Sequence, residues 1–209
     1  MVPEQTPHPA SDRAAAKTAL RDQVLAARRA RGLAGRAAAA RDRDAHLLAA
    51  PEVRRAATVA AYVSVGTEPS TGLLLDALRA AGKRVVLPVL LPDLDLDWAA
   101  YDGPASLLPA GRGLLEPAGR RLGPEHVATA DAVLLPGLAV DGAGLRLGRG
   151  GGSYDRALGR VPVGTFTCVL LDDDEVGLPV PAEPHDRRVT AAATPSGVRR
   201  FQAPRPLGS

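Results

Sequence analysis

The chain has 209 residues, 45% of them apolar and 23% charged, which is enough to bury one sizeable core in one domain. A lone cysteine, Cys168, excludes an intramolecular disulfide and a cysteine metal cluster, and no apolar run approaches the roughly 20 residues of a membrane span. The net charge of +3 comes mostly from scattered arginines rather than basic blocks, which reads as biased composition and not as a nucleic-acid footprint.

Residues 1–10 carry three prolines and little apolar content and are expected to be a disordered lead-in. They lack the basic-then-apolar order of a signal peptide, so a soluble cytoplasmic protein is expected. Ser11 and Asp12 are N-cap candidates for a helix over Arg13–Arg31, with Leu20, Val24 and Ala27 on one face and Gly32 at its end. A second helix is predicted over Arg36–Ala49, stopped by Pro51. "TVAAYVSV", Thr58–Val65, reads as a buried strand. "STGLLLDALRAAG" follows as a Ser/Thr-capped helix ended by Gly82, and "RVVLPVL" as the next strand. Strand, helix, strand implies a parallel pair with a right-handed crossover. "LDLDWAAY" alternates as a half-wet edge strand should. Residues 103–124 read as a Pro/Gly-rich loop, and "ADAVLLPGLAV" and "VPVGTFTCVLL" as core strands. "LDDDE", Leu171–Glu175, reads as a turn after a strand. "VTAAATP" is placed as a strand closing the sheet, and residues 204–209 as a tail. The alternation predicts one α/β domain over residues 11–203. It is a three-layer α/β/α arrangement with a mostly parallel sheet and the N-terminal helices packed on it.

"RLGRGGGSYDRAL", Arg146–Leu158, holds four glycines and three arginines in thirteen residues. Gly148, Gly150, Gly151 and Gly152 free the backbone, so successive N–H groups can converge on an anion. The helix expected from Ser153 adds its own unpaired N–H groups and the positive end of its dipole. A P-loop is excluded because the loop has no lysine, and a dinucleotide fingerprint because the glycines fall at the wrong offset. What remains is an anion loop at a helix start, or a plain glycine turn. Asp155 in the first helical turn suits either the helix dipole or a Mg²⁺ beside phosphates.

At this point the residues become particular. "LPGLAVDGAGLRLGRGGGSYDRAL", Leu135–Leu158, resembles the signature of the 5-formyltetrahydrofolate cyclo-ligase (5,10-methenyltetrahydrofolate synthetase) family, with its PGxAFD, short gap and RLGxGxGYYDR. "KTALR" resembles the family's N-terminal KxxLR, "AAYVSVGTEPST" its YxPxxxEIxT, "GLLEP" its G-I-x-EP and "LPVPAEPHD" its LPxExHD. The departures are Val140 for Phe, Ser153 for the first Tyr of YYD, and Pro69 after Glu68. None removes a charge, but a lost aromatic leaves open how firmly each ligand is held.

The resemblance implies an ATP- and Mg²⁺-dependent enzyme that cyclises 5-formyltetrahydrofolate to 5,10-methenyltetrahydrofolate and releases ADP and phosphate. It implies that Lys17, Arg21, Arg146, Leu147, Gly148, Arg149, Gly150, Gly151, Gly152, Ser153 and Tyr154 hold ATP. Arg149 and Lys17 would be catalytic, and Asp155 and Asp186 the metal ligands. Val63, Glu68, Glu116 and Tyr154 would contact the folate, and Trp98 is added as a flat-ring partner. His185 is left out because Mg²⁺ prefers oxygen. The alternatives are a same-fold relative with a changed substrate or lost catalysis, and an Arg/Gly RNA-binding protein, which two Phe and three Tyr serve poorly. A monomer with small-molecule ligands and no nucleic-acid or membrane partner is expected.

Overall fold

The computed structural model describes residues 9–202. Three helices lead: α1 (Pro9–Ala30), α2 (Leu33–Ala49) and α3 (Pro51–Arg55). The rest alternates as β1 (Thr58–Ala60), α4 (Gly72–Ala80), β2 (Arg84–Leu90), β3 (Leu96–Ala100), β4 (Leu107–Pro109), β5 (Leu115–Pro117), β6 (Ala132–Pro136), β7 (Ala139–Val140), β8 (Arg146–Leu147), α5 (Ser153–Arg160), β9 (Phe166–Leu170), β10 (Ala191–Thr194) and β11 (Gly197–Arg200). Of the expected disordered lead-in, residues 9 and 10 are helical, and the remainder lies outside the described residues, as does the 204–209 tail. The helix begins ahead of the Ser11/Asp12 caps, at Pro9, where a residue without an N–H forfeits no helical bond. α2 likewise begins at Leu33, three residues before the sequence reading put it, and Gly32 serves as its N-cap.

The central sheet has seven strands in the order β11-β10-β9-β6-β1-β2-β3. β10, β9, β6, β1 and β2 run parallel, and an antiparallel strand, β11 or β3, closes each edge. The parallel strands are buried on both faces, which is why they read as unbroken apolar runs. On one face Leu47 of α2, Val53 of α3 and Leu74, Leu75 and Leu78 of α4 pack on Val59, Val85, Leu134 and Cys168. On the other, Ala157 and Leu158 of α5 and Val127 of a 3-10 turn (Pro124–Thr129) pack on Val86, Val133 and Val169. The three layers are those the sequence predicts. α1 is the exception, because Val24 packs on Leu138, Ala139, Leu145 and Leu147 of the β7–β8 ribbon rather than on the sheet.

Two buried groups set this packing. Arg28 of α1 is 1% exposed and donates to Glu175 through Nε (2.8 Å) and Nη2 (2.7 Å), while Nη2 also donates to the Gly137 carbonyl at 2.8 Å. Burial lowers the Arg28 pKa, but the Glu175 carboxylate outweighs it and holds the guanidinium above its ordinary range. Arg31 adds bonds to Asp172, Asp174 and Glu175, so the "LDDDE" stretch is a clamp for α1 as well as a turn. On α2, Asp44 is buried with its Oδ1 unpartnered, and burial pushes its pKa up to about 6 against the opposing pull of Arg43.

Two outcomes follow. Glu175→Ala strands a buried guanidinium and is expected to lower unfolding free energy by about 3–5 kcal/mol in urea titrations. Asp44 binds its proton more tightly folded than unfolded, so it costs stability progressively between pH 4 and about pH 6 and fully above. Asp44→Asn is therefore expected to stabilise the protein by about 1–2 kcal/mol at pH 7 and by nothing near pH 3, read from urea midpoints at both values.

Candidate functional site

In the sheet order, β1 lies between β2 and β6, so the chain leaves β1 toward one edge and returns to fill the other. Such a reversal opens a crevice beyond the carboxyl ends of the two strands. The loops after β1 and β6 line it here. The predicted strand Thr58–Val65 ends at Ala60 for this reason. Beyond Ala61 the backbone is held by side chains: Ser64 N–H donates to Thr71 Oγ1 (3.0 Å), and Val65 N–H donates to Glu68 Oε2 (2.9 Å). Thr71 sits at the N-cap position of α4, but its hydroxyl donates to the Tyr62 carbonyl at 2.8 Å instead of capping the helix.

Two cavities meet in the crevice. The first, of about 380 Å³, is bounded by Tyr62, Val63 and Glu68 after β1, Pro88 and Leu90 of β2, and Tyr154 of α5. The predicted 103–124 loop contributes more than a loop. Its β4–β5 hairpin lays Leu114, Leu115 and Glu116 along the same cavity, with Glu116 Oε1 accepting the Leu90 N–H at 2.9 Å. The second, of about 550 Å³, is bounded by Lys17 and Arg21 of α1, Arg156 of α5, and Glu183, His185 and Asp186. Arg146, Gly148, Gly151, Gly152 and Asp155 line both. The glycine loop is thus a shared wall, with Leu147 and Gly150 facing the second cavity and Arg149, Ser153 and Tyr154 the first.

The wall is built around Arg146, which is 5% exposed. Its Nη2 donates to Asp155 Oδ1 at 3.1 Å, its Nη1 to the Pro136 carbonyl at 3.3 Å, and its guanidinium lies 5.9 Å from the Tyr154 ring centroid. A Cβ at Gly148 would come within 2.7 Å of Nη1, so only glycine leaves room for this rotamer. Gly152 takes a left-handed conformation (φ +69) as the N-cap of α5, which turns the chain from the loop into the helix. Arg149 crosses the first cavity and donates to Glu68 Oε1 at 2.9 Å. Burial, then the Glu68 charge, pushes the Tyr62 and Tyr154 phenols well above their ordinary pKa, so both stay protonated. The Tyr62 hydroxyl is buried without a partner among the described residues.

In the second cavity Lys17 is 5% exposed, and its Nζ donates to Asp186 at 2.7 and 2.9 Å and to Glu183. Lys17 holds the Glu183 carboxyl below its usual range. Arg21 Nε donates to the Gly148 carbonyl at 2.9 Å, which fixes the loop to α1. Glu183, His185 and Asp186 bring one ligand atom each within 4.8 Å of one another. Asp186 thus lies in a cluster of groups able to ligate a cation, its carboxylate taken up here by Lys17, whereas Asp155 is engaged by Arg146 and by the Arg187 N–H.

The sequence reading placed Trp98 against the folate, and the structure does not bring it there. Trp98 is 1% exposed and packs with Leu96, Val127 and Val133 in the core beneath α5. On β3 its neighbours Leu96 and Ala100 fall at alternate positions, and it is Leu96 that reaches the cavity. Tyr62, Leu114, Leu115, Arg112 and Glu183 were missed. Glu183 and Tyr62 lay inside quoted segments, and the apolar "LL" before Glu116 was the one signal for the hairpin. Among the described residues no helix is long and apolar enough to cross a membrane.

Comparison with known proteins bears on this geometry. A sequence model of the 5-formyltetrahydrofolate cyclo-ligase family matches residues 13–195. The chain is 45% identical over 143 residues to the 5-formyltetrahydrofolate cyclo-ligase of Mycolicibacterium smegmatis, covering 66% of this chain and 73% of that one. It is 34% identical over 157 residues to the Escherichia coli protein of the same name, covering 71% and 83%. The solved structure of Aquifex aeolicus 5,10-methenyltetrahydrofolate synthetase superposes with a TM-score of 0.78 at 28% identity, covering 92% of this chain and 96% of that one. With its signature loop forming the wall between two cavities at the sheet's reversal point, the chain belongs to the 5-formyltetrahydrofolate cyclo-ligase family.

Proposed function

We propose that this enzyme converts 5-formyltetrahydrofolate to 5,10-methenyltetrahydrofolate with ATP and Mg²⁺, releasing ADP and phosphate. The observation that carries the reading is the shared wall: five residues of one loop face both cavities. The reaction needs this arrangement. A formyl group on nitrogen is amide-like, and ring closure by N10 has to expel its oxygen. Transfer of a phosphoryl group to that oxygen makes it part of a good leaving group. N10 then bonds to the formyl carbon, the carbon–oxygen bond breaks with phosphate taking the electron pair, and N10 loses its proton. Transfer demands that the formyl oxygen and the γ-phosphate meet in line, one from each cavity.

In this reading Glu68 accepts hydrogen bonds from the pterin, which offers adjacent N–H donors to a carboxylate. Val63, Tyr154 and Glu116 border the folate. Arg149 gives up Glu68 and turns to the phosphoryl group, where a cation offsets developing charge. The N–H groups of Gly150, Gly151 and Gly152 cradle the phosphates, with Arg146, Leu147, Gly148 and Ser153 forming the rest of the wall. Lys17 and Arg21 approach the phosphates from α1. The oxygen donors of Asp186, Asp155 and Glu183 suit a hard divalent ion; they would hold Mg²⁺, which would supply positive charge to offset the phosphate oxygens. Lys17 occupies the Asp186–Glu183 carboxylates with a single cationic head, and it would turn toward the phosphates if those carboxylates held a metal instead.

The test mixes protein, 5-formyltetrahydrofolate and MgATP and follows the near-ultraviolet band of the methenyl product. Growth only when both ATP and Mg²⁺ are present supports the reading. A flat trace from folded protein that still binds ATP points to a relative with a changed substrate. Asp155→Asn is expected to lower Mg²⁺-dependent turnover about 100-fold or more with the thermal midpoint little changed. Turnover like that of the unaltered protein would remove Asp155 from the metal and phosphate site.

A further inference from the structure

The charges around the first cavity are matched with one exception. Asp155 is held by Arg146, Glu68 by Arg149, and Glu116 by the Leu90 N–H. Arg112 also lines the cavity, yet among the described residues it makes no hydrogen bond and no ion pair with any carboxylate. Its position is costly to maintain. It sits at the tip of the β4–β5 hairpin with φ +61, one of two described non-glycine residues in the left-handed region, between Gly111 and Gly113. Glycine would adopt that conformation without strain, so the arginine is held there at a cost the turn itself does not require.

Exposure orders the cavity from floor to mouth. Tyr62 is 2% exposed, the Glu68 side chain 8%, Leu114 is half-buried, Leu115 is 43% exposed, and Arg112 is exposed. A ligand whose pterin meets Glu68 at the floor passes Leu114 and Leu115 with its benzoyl ring and ends at Arg112 with its glutamate. We propose that Arg112 is a specificity-determining residue that binds the carboxylates of the substrate's glutamate tail. This rests on the folate reading of the cavity. A planar guanidinium pairs with a carboxylate in two parallel hydrogen bonds, and its position at the mouth leaves additional γ-linked glutamates free to extend into solvent.

The experiment compares two substrates, 5-formyltetrahydrofolate and an analogue in which the glutamate is replaced by a methylamide, keeping the pterin, N10 and benzoyl groups. With Arg112→Ala, KM for the first is expected to rise about tenfold, KM for the tail-less analogue to stay unchanged, and kcat to change little for both. Arg112→Lys is expected to restore part of the loss, and Arg112→Gly, which relieves the backbone, to behave as the alanine variant does. Equal KM changes for the two substrates, or none for either, would overturn the assignment while leaving the reaction intact. No turnover of either substrate by the unaltered protein would instead overturn the folate reading itself.

Discussion

The Arg146 guanidinium is the interaction on which the site depends. It is buried, and from β8 it ties two further elements together: the end of β6 through the Pro136 carbonyl, and the first turn of α5 through Asp155 and the Tyr154 ring. A charged group in such a place needs compensation, and while Nε is left without a partner among the described residues, Asp155 and the Pro136 carbonyl supply it at Nη2 and Nη1. The absence of a side chain at Gly148 is what lets the guanidinium reach them. The same contacts fix the orientation of the loop that divides the two cavities. A partition between the two ligands of the proposed reaction has to be thin, cationic and rigid, and a glycine loop braced from inside by one arginine is all three.

The second support comes from α1. It is not part of the sheet's own packing, and its apolar contact with the β7–β8 ribbon is small. Ionic contacts hold it: Arg28 and Arg31 to the Asp172–Glu175 stretch, Lys17 to Asp186 and Glu183, and Arg21 to the loop carbonyl. These contacts also deliver the cations of the second cavity, so fixing the helix and lining the proposed phosphate site are one arrangement. The proposed exchanges at Lys17 and Arg149 share a logic. Each cation is parked on carboxylates that a ligand or metal is to occupy, which keeps buried charge compensated before binding.

Much of the architecture was legible because parallel strands buried on both faces leave long apolar runs, and Gly82 (φ +77) ends α4 as its position suggested. The failures have physical causes. "TVAAYVSV" is apolar throughout, and nothing local announces that Ser64, Glu68 and Thr71 take over its hydrogen bonds after Ala61. Trp98 on a half-wet edge strand faced either way, and the core beneath α5 claimed it. The β4–β5 hairpin has strands of three residues in a Pro/Gly-rich stretch, too short for alternation to show. The loop's glycines and arginines suggested an anion site from composition alone, whereas its position as a wall between two cavities needed the fold.

The placement of α1 has a consequence for how the chain is made. Every described contact that fixes it, from Gly137 and Gly148 to Glu175, Glu183 and Asp186, comes from the later part of the chain. On a ribosome α1 is made well ahead of all these partners: Gly137 lies 109 residues beyond Arg28, and Asp186 lies 169 beyond Lys17. The sheet can be nucleated by the nearer pairing of β1 with β2, and α1 docks only after the later segments that hold it have been made. Nascent chains released early would carry a folded centre with a detached leading helix. They would lack Lys17 and Arg21 beside the glycine loop, leaving the second cavity open on the side that α1 closes.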